Sequence, residues 1–328
     1  MVTRTGFAYR TGGEPAEAEV APIREQLPVA PPEEAVVLGN RELFGRLATT
    51  AMLPSMREAF ADWRPDFVLR EPCEYASAVV AKERGIATAQ VAISLAQHED
   101  NSIDAAAPAL EAHRPDLVAA LRSSPYVTRF PGPLDPSPFP NTIRFHETRS
   151  PKPLPDWWQG SDAPLVYLTF GTVLGHMTIA ADVYRQAVDA LTDVPARVLL
   201  TVGRKFDSEQ LGPVPDNVHV EAWVDQDDVL ERADVVVCHG GSGTAFGAIA
   251  AGVPLVLVPV FADQFGNSRR IADAGAGVVV EAAGIQAALT NVLHEPRYRR
   301  HAERLAEEIA ATNNVDEALA EVLGRGLD

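Results

Sequence analysis

The chain has 328 residues, 46% apolar, 22% charged and 7% aromatic, enough to fill about two globular cores and incompatible with wholesale disorder. Twenty-eight basic against 45 acidic residues give a formal charge of −17, which argues against nucleic acid or an anionic membrane as the main partner, because phosphate arrays need concentrated Lys and Arg. Two cysteines, Cys73 and Cys238, are too few for a disulfide framework or a Cys-rich zinc site, and with no signal-peptide pattern after Met1 and no membrane-length apolar run the expected location is the cytoplasm.

Residues 1–35 read as turns and polar stretches, with Val20–Ile23 as the one apolar fragment. Asn40–Phe60 has the spacing of an amphipathic helix, kinked or broken at Pro54. Asp66–Leu69 and Thr88–Ile93 read as strands flanking a helix at Ala76–Arg84. A doubly wound domain normally opens with an apolar strand and a glycine turn, and none precedes these elements, so the first domain reads as incomplete at its start. Ten prolines fall between Pro125 and Pro164, a density that forbids a long helix or a central strand and reads as an extended linker. Trp157 and Trp158 within it are the residues expected to pin it to a domain. The domain division is therefore 1–145, a linker at 146–163, and 164–328.

Past the linker, Leu165–Phe170, Arg197–Val202, Asp234–Cys238 and Val253–Val260 are short, nearly continuous apolar runs, the pattern of strands covered on both faces. Helical patterns at Ala180–Leu191 and Thr244–Ala251 separate them, so this half is a Rossmann-like α/β domain with a doubly wound parallel sheet. A helix at Tyr298–Ala311, a break at Asn313-Asn314 and a last helix through Leu323 close the chain.

The segment His239-Gly240-Gly241-Ser242-Gly243-Thr244 follows a predicted buried strand and opens a predicted helix, which makes it an anion site: glycines admit the ligand and unsatisfied N–H groups point at it. Charge-assisted hydrogen bonds of roughly 1.5–3 kcal/mol each let a few donors hold a diphosphate against the overall charge. No lysine follows the glycines, so a P-loop is excluded. The dinucleotide fingerprint fits Gly241 and Gly243 but meets Phe246 where it needs a third glycine, which leaves a nucleotide-sugar site, an NAD site and a ligand-free turn as competing readings.

Trp223-Val224-Asp225-Gln226, the glycine loop, Gly252-Val253-Pro254, Pro259, Asp263-Gln264 and Gly275-Ala276-Gly277 together resemble, in order and spacing over about fifty residues, the donor-site signature of family 1 GT-B glycosyltransferases, most nearly the actinobacterial branch that attaches deoxysugars to antibiotic aglycones. The resemblance implies a GT-B fold, two Rossmann-like doubly wound domains facing a cleft. It implies an inverting transfer from a nucleotide-diphosphate sugar to a hydroxyl of a small hydrophobic aglycone, with no metal or other cofactor. Carried over, Trp223 and Val224 would lie along the nucleobase and Gln226 near the ribose. Thr172, His239, Gly241, Ser242, Gly243 and Thr244 would hold the diphosphate, and Asp263 and Gln264 would address the sugar hydroxyls. Members using UDP-glucose often carry a glutamate eight residues after the histidine; here that position is Gly247, which favours a dTDP-linked sugar over UDP.

The family's usual base, a histidine in a Gly-His-x-x-Pro-like loop after the first N-terminal strand, has no counterpart among His98, His113, His146, His176, His219, His239, His294 and His301. Met1 enters the family pattern after the first strand and helix, so the start is truncated or the chain is a variant that binds nucleotide better than it transfers sugar. Glu71 and His98, each following a predicted N-domain strand, are the substitute bases. The alternatives are a catalytically weak nucleotide-sugar-binding auxiliary protein and a UDP-sugar transferase acting on a lipid or sterol. Nothing in the sequence demands an obligate assembly, and a homodimer is one candidate for the oligomeric state.

Overall fold

The structure, a computed structural model, describes residues 6–27, 29–157, 160–172, 174, 180–192, 194–261 and 263–327. Met1, Trp158 and His176 lie outside the described residues. The chain divides into two compact units.

In the first unit, α1 (Glu17–Gln26) and α2 (Pro32–Leu38) occupy a stretch that the sequence presents as turns. The correction has a physical origin: α1 buries only Ile23 and carries Pro22, so it has no apolar stripe to announce it. After α2 the helix widens to π turns at Gly39–Ala48 and continues as α3 (Thr49–Trp63) through Pro54. The expected break at Pro54 is absent, and the irregularity lies earlier, where the Thr49 hydroxyl donates to the Phe44 carbonyl at 2.7 Å. Then come β1 (Phe67–Arg70), α4 (Ala76–Arg84), β2 (Ala87–Val91), α5 (Ala96–His113), α6 (Leu117–Ser123), β3 (Tyr126–Thr128) and β4 (Thr142–His146). The last two strands stand inside the proline-rich stretch. The ladder tolerates this because a proline still accepts: the Pro125 carbonyl takes the Gln90 N–H at 2.9 Å.

The second unit begins beyond β4. It contains β5 (Leu165–Thr169), α7 (Ala180–Asp189), β6 (Arg197–Thr201), β7 (Val218–Glu221), α8 (Gln226–Leu230), β8 (Val235–Cys238), α9 (Ser242–Ala250), β9 (Leu255–Leu257), α10 (Gln264–Asp273), β10 (Gly277–Val279), α11 (Ile285–His294) and α12 (Pro296–Ala310). Its strands pair in parallel in the order β10-β9-β8-β5-β6-β7. Counted within the unit this is 3-2-1-4-5-6 read from β7, the order of a dinucleotide-type sheet, whose switch point falls between β5 and β8. Val166, Leu168, Val198, Leu200, Val235, Val237 and Val256 are buried on this sheet. The segment before β5 is pinned as anticipated at Trp157, whose indole stacks on His219 at 4.6 Å.

The chain then returns: β11 (Asn313–Asn314) lies beside β4, completing the first sheet in the order β1-β2-β3-β4-β11, and α13 (Val315–Leu327) follows. Alternation along β3 divides that sheet, Tyr126 packing with the cluster of Val79, Ile103 and Leu110, and Val127 with Ala318 and Val322 of α13. The expected division at 164–328 is thus corrected. Ala318 and Val322, one turn apart, cover Ala89, Val127 and Ile143, and this places residues 313–328 in the first unit. In the other direction, Phe130–Leu134 belongs to the second unit, where Phe130 packs on Phe246 with ring centroids 4.2 Å apart. No helix among the described residues is long and apolar enough to cross a membrane.

Candidate functional site

Open α/β sheets bind ligands beyond the carboxyl ends of their strands at the switch point. Here that place is built by the residues following β5 and β8. After β5 the chain turns at Gly171, whose φ is +74° and whose absent Cβ leaves room for the His239 ring; a Cβ there would lie 2.9 Å from Cε1 and Nε2. Thr172 follows, exposed. After β8, Gly240 adopts φ +80°, and a side chain on it would collide with Ser268 and approach the Gln264 carbonyl at 2.9 Å. The glycine is what lets α10 close against the loop.

Gly241 is the N-cap of α9, and no side chain caps it. The first-turn N–H groups of Ser242, Gly243 and Thr244 are therefore uncapped by protein side chains, at the positive end of the helix dipole. The Ser242 hydroxyl donates to Asp263 Oδ2 at 3.0 Å. Asn267, fully buried in α10, donates through Nδ2 to the Gly240 carbonyl at 3.0 Å, to Ser242 Oγ at 3.1 Å and to Asp263 Oδ2 at 3.0 Å. Asn267 was not singled out from the sequence. The signal that finds it is the helical i, i+4 spacing from Asp263, which puts both on one face of α10.

His239 is held in a slot between Gly171 and Gly241. Burial pushes its pKa down to about 4, outweighing the opposing attraction of Asp263, so the imidazole is neutral near pH 7. Its Nδ1 is buried without a hydrogen-bond partner.

Gln264 departs from expectation. It is 2% exposed, and its Oε1 accepts from the backbone N–H groups of Val260 at 2.9 Å and Phe261 at 3.0 Å. The side chain fastens the loop beneath Asp263 instead of standing free for a sugar.

On the flank, Asp225 caps α8 by accepting the Asp227 N–H at 3.2 Å, and Gln226 Nε2 reaches the Gly243 carbonyl at 3.4 Å. Gly247 makes this possible, since a Cβ at that position would run into the Gln226 amide. Val224 is partly buried, and Trp223 is 50% exposed with the Arg204 guanidinium 4.6 Å from its ring centre. The structure thus assembles Thr172, Gln226, His239, Gly241, Ser242, Gly243, Thr244 and Asp263 around the ends of β5 and β8, with Trp223 and Val224 on the segment leading into α8.

Glu71 and His98 belong to the first unit. Glu71 is exposed and its carboxylate accepts the Cys73 N–H of its own turn at 3.1 Å. His98, in the first turn of α5, has Nδ1 3.4 Å from Ser94 Oγ. Beside it stands Glu99, which follows the same predicted strand and was not itself chosen as a base from the sequence. It is 4% exposed, accepts from the N–H groups of Ile93 at 2.8 Å and Ser94 at 2.9 Å and from Gln90 Nε2 at 3.2 Å, and burial pushes its pKa up to about 7. Gln90 in turn accepts from the buried Arg70 guanidinium. Among the described residues no group of three or more His, Cys, Asp or Glu is placed to hold a metal ion.

Residues 24–128 match the family described as erythromycin biosynthesis protein CIII-like, N-terminal domain, and residues 185–323 match its C-terminal domain. The L-demethylnoviosyl transferase of Streptomyces niveus is 32% identical over 270 residues, covering 79% of this chain and 70% of its own. The oleandomycin glycosyltransferase of Streptomyces antibioticus is 28% identical over 325 residues, covering 86% and 74%. Among solved structures, the spinosyn rhamnosyltransferase SpnG complexed with thymidine diphosphate superposes with a TM-score of 0.72 at 21% identity, over 94% of this chain and 82% of that one; SpnG has also been solved with the spinosyn aglycone.

Proposed function

This chain belongs to the erythromycin biosynthesis protein CIII-like glycosyltransferases of antibiotic biosynthesis, with the GT-B fold, and we propose that it moves a deoxysugar from a thymidine-diphosphate donor to a hydroxyl of a small hydrophobic aglycone, with inversion. The observation that carries this reading is the uncapped start of α9 at the switch point, with Ser242 and Asp263 locked beside it by Asn267. The diphosphate lies on the N–H groups of Ser242, Gly243 and Thr244, with the Thr172 and Thr244 hydroxyls as further donors. His239, being neutral, offers one ring N–H without adding charge. Asp263 faces the sugar hydroxyls, and Gln264 positions Asp263 by fixing residues 260–261.

In the transfer, the bond from the anomeric carbon to the diphosphate oxygen breaks as the acceptor oxygen attacks the opposite face. The acceptor gives up its proton, and the nucleoside diphosphate leaves with the bonding pair. Preorganised N–H donors at α9 stabilise the charge that grows on the leaving group. The proton goes to Glu71 or His98, and separate Glu71→Gln and His98→Ala variants distinguish them: the base is the one whose loss lowers kcat by about 10²–10⁴-fold.

The thymidine preference is supported by the ribose side of the site. Gln226, not a carboxylate, fills the space beside Gly247, and an amide tolerates a missing 2′-hydroxyl better than an unpaired charge does. That SpnG binds thymidine diphosphate and an aglycone is consistent with both halves of the reading. The test is thermal-shift titration with dTDP and UDP, followed by incubation with dTDP-deoxysugars and hydrophobic hydroxylated aglycones. The expected result is a larger shift with dTDP and a glycosylated product of inverted anomeric configuration. A clear UDP preference overturns the donor assignment.

A further inference from the structure

We propose that Arg204 is a mobile recognition element of the donor site: its guanidinium rests on the Trp223 indole and turns onto the nucleotide's diphosphate when the pyrimidine takes its place on that ring. The proposal rests on the donor-site reading above and adds a residue that neither the glycine loop nor the Trp223 segment contains.

Three observations converge on it. Arg204 Cζ lies 4.6 Å from the Trp223 ring centre, so a cation rests on the aromatic surface proposed for the base. The arginine is also anchored next to the phosphate side. It follows Gly203, at φ +86°, where a Cβ would stand 4.0 Å from the Gly171 carbonyl, and Gly171 is the residue against which His239 packs. One short turn after β6 therefore runs beside Gly171 at the proposed diphosphate cradle and reaches the proposed base platform at Trp223.

The third observation is charge. A nucleoside diphosphate brings two phosphates to a loop that offers them backbone N–H groups, hydroxyls and a neutral imidazole, with a carboxylate beside them. The Asp263 carboxylate accepts from Ser242, Asp225 caps α8, Asp227 is already paired with Arg149, and burial keeps His239 uncharged. The α9 terminus supplies only about half an elementary charge. An exposed cation–π contact is weaker than a bidentate guanidinium–phosphate pair, so exchanging the first for the second favours the bound state. The same exchange clears the indole for stacking. Base and phosphate recognition are coupled through one side chain.

The experiment measures affinities for thymidine, dTDP and UDP by calorimetry, at low and moderate salt, for the wild type, Arg204→Gln and Arg204→Lys. Arg204→Gln is expected to weaken dTDP about ten- to hundredfold while thymidine binds equally or more tightly, and to flatten the salt dependence of dTDP binding. Arg204→Lys, which keeps the charge and loses the planar fork, falls between. Equal weakening of thymidine and dTDP makes Arg204 a mere support for Trp223 and overturns the proposal. Tightening of both makes it only a plug, and unchanged affinities make it a bystander; each overturns it as well. A wild type that binds neither dTDP nor UDP overturns the donor-site reading first, before any substitution is compared, so the two failures are distinguishable.

Discussion

Asn267 carries more of the site than its exposure suggests. One amide nitrogen serves three acceptors, the Gly240 carbonyl, Ser242 Oγ and Asp263 Oδ2, and so fixes the glycine loop and the Asp263 carboxylate as one piece. Asn267→Ala leaves those acceptors short of a donor in a fully buried place and is expected to cost roughly 1–3 kcal/mol in chemical denaturation, with weaker dTDP binding. Asn267→Asp is closer in shape and is expected to be worse for the nucleotide. A second carboxylate facing Asp263 adds like charge beside the proposed diphosphate site, and calorimetry at low salt should show dTDP binding at least about tenfold weaker than in Asn267→Ala. Gln264 yields a different signature. Removing its Oε1 frees the Val260 and Phe261 N–H groups, so Gln264→Ala is expected to raise the sugar-donor KM through loop disorder while free dTDP, which lacks the sugar, binds nearly as before.

Among the elements, α9 shows why this sheet is not a dinucleotide site despite its strand order. Phe246 occupies the position at which a third glycine would let helix and strand close, and its ring packs on Phe130 at 4.2 Å. Phe246→Ala is expected to cost about 3–5 kcal/mol, read by thermal denaturation, without creating NAD affinity. The strands read most readily from sequence, β5, β6 and β8, are central and covered on both faces, so they appear as unbroken apolar runs. The two passed over, β7 and β10, are the sheet's edges. Val218–Glu221 alternates over only four residues, and β10 opens at Gly277, where a Cβ would meet β9 at Leu255. Too short and too exposed for a continuous run, they leave little periodic trace. The glycine loop and Trp223–Gln226 were legible because their spacing is local. The buried state of Gln264, the reach of Asn267 and the desolvation of Glu99 depend on what packs over them, which no single-sequence pattern encodes.

Across the whole molecule, two buried titratable groups bend stability with pH in opposite senses, one in each unit. The His239 pKa falls from an unfolded value near 6.5 to about 4, so the fold prefers the neutral ring. Its contribution is intact above pH ~6.5 and is lost as pH falls toward 4. The Glu99 pKa rises from about 4.5 to about 7, so its contribution is intact below pH ~4.5 and is lost as pH rises through 7. Hydrogen exchange resolved by unit is the fitting measurement, since a two-unit chain need not unfold in one step. His239→Gln is expected to protect the second unit at pH 5 and change little at pH 8. Glu99→Gln is expected to protect the first unit at pH 8 and change little at pH 4.5.

The division of α13 between sequence position and spatial membership also bears on biosynthesis. Translation starts the first unit, lays down the whole of the second, and only afterwards delivers Asn313–Asp328, which carries β11 and the helix that covers Ala89, Val127 and Ile143. On the ribosome, the unit begun earliest is therefore the one finished last, with one face of its sheet uncovered while its neighbour matures. A stall or a nick after Thr312 would release a chain whose second unit is whole and whose first unit has lost its lining.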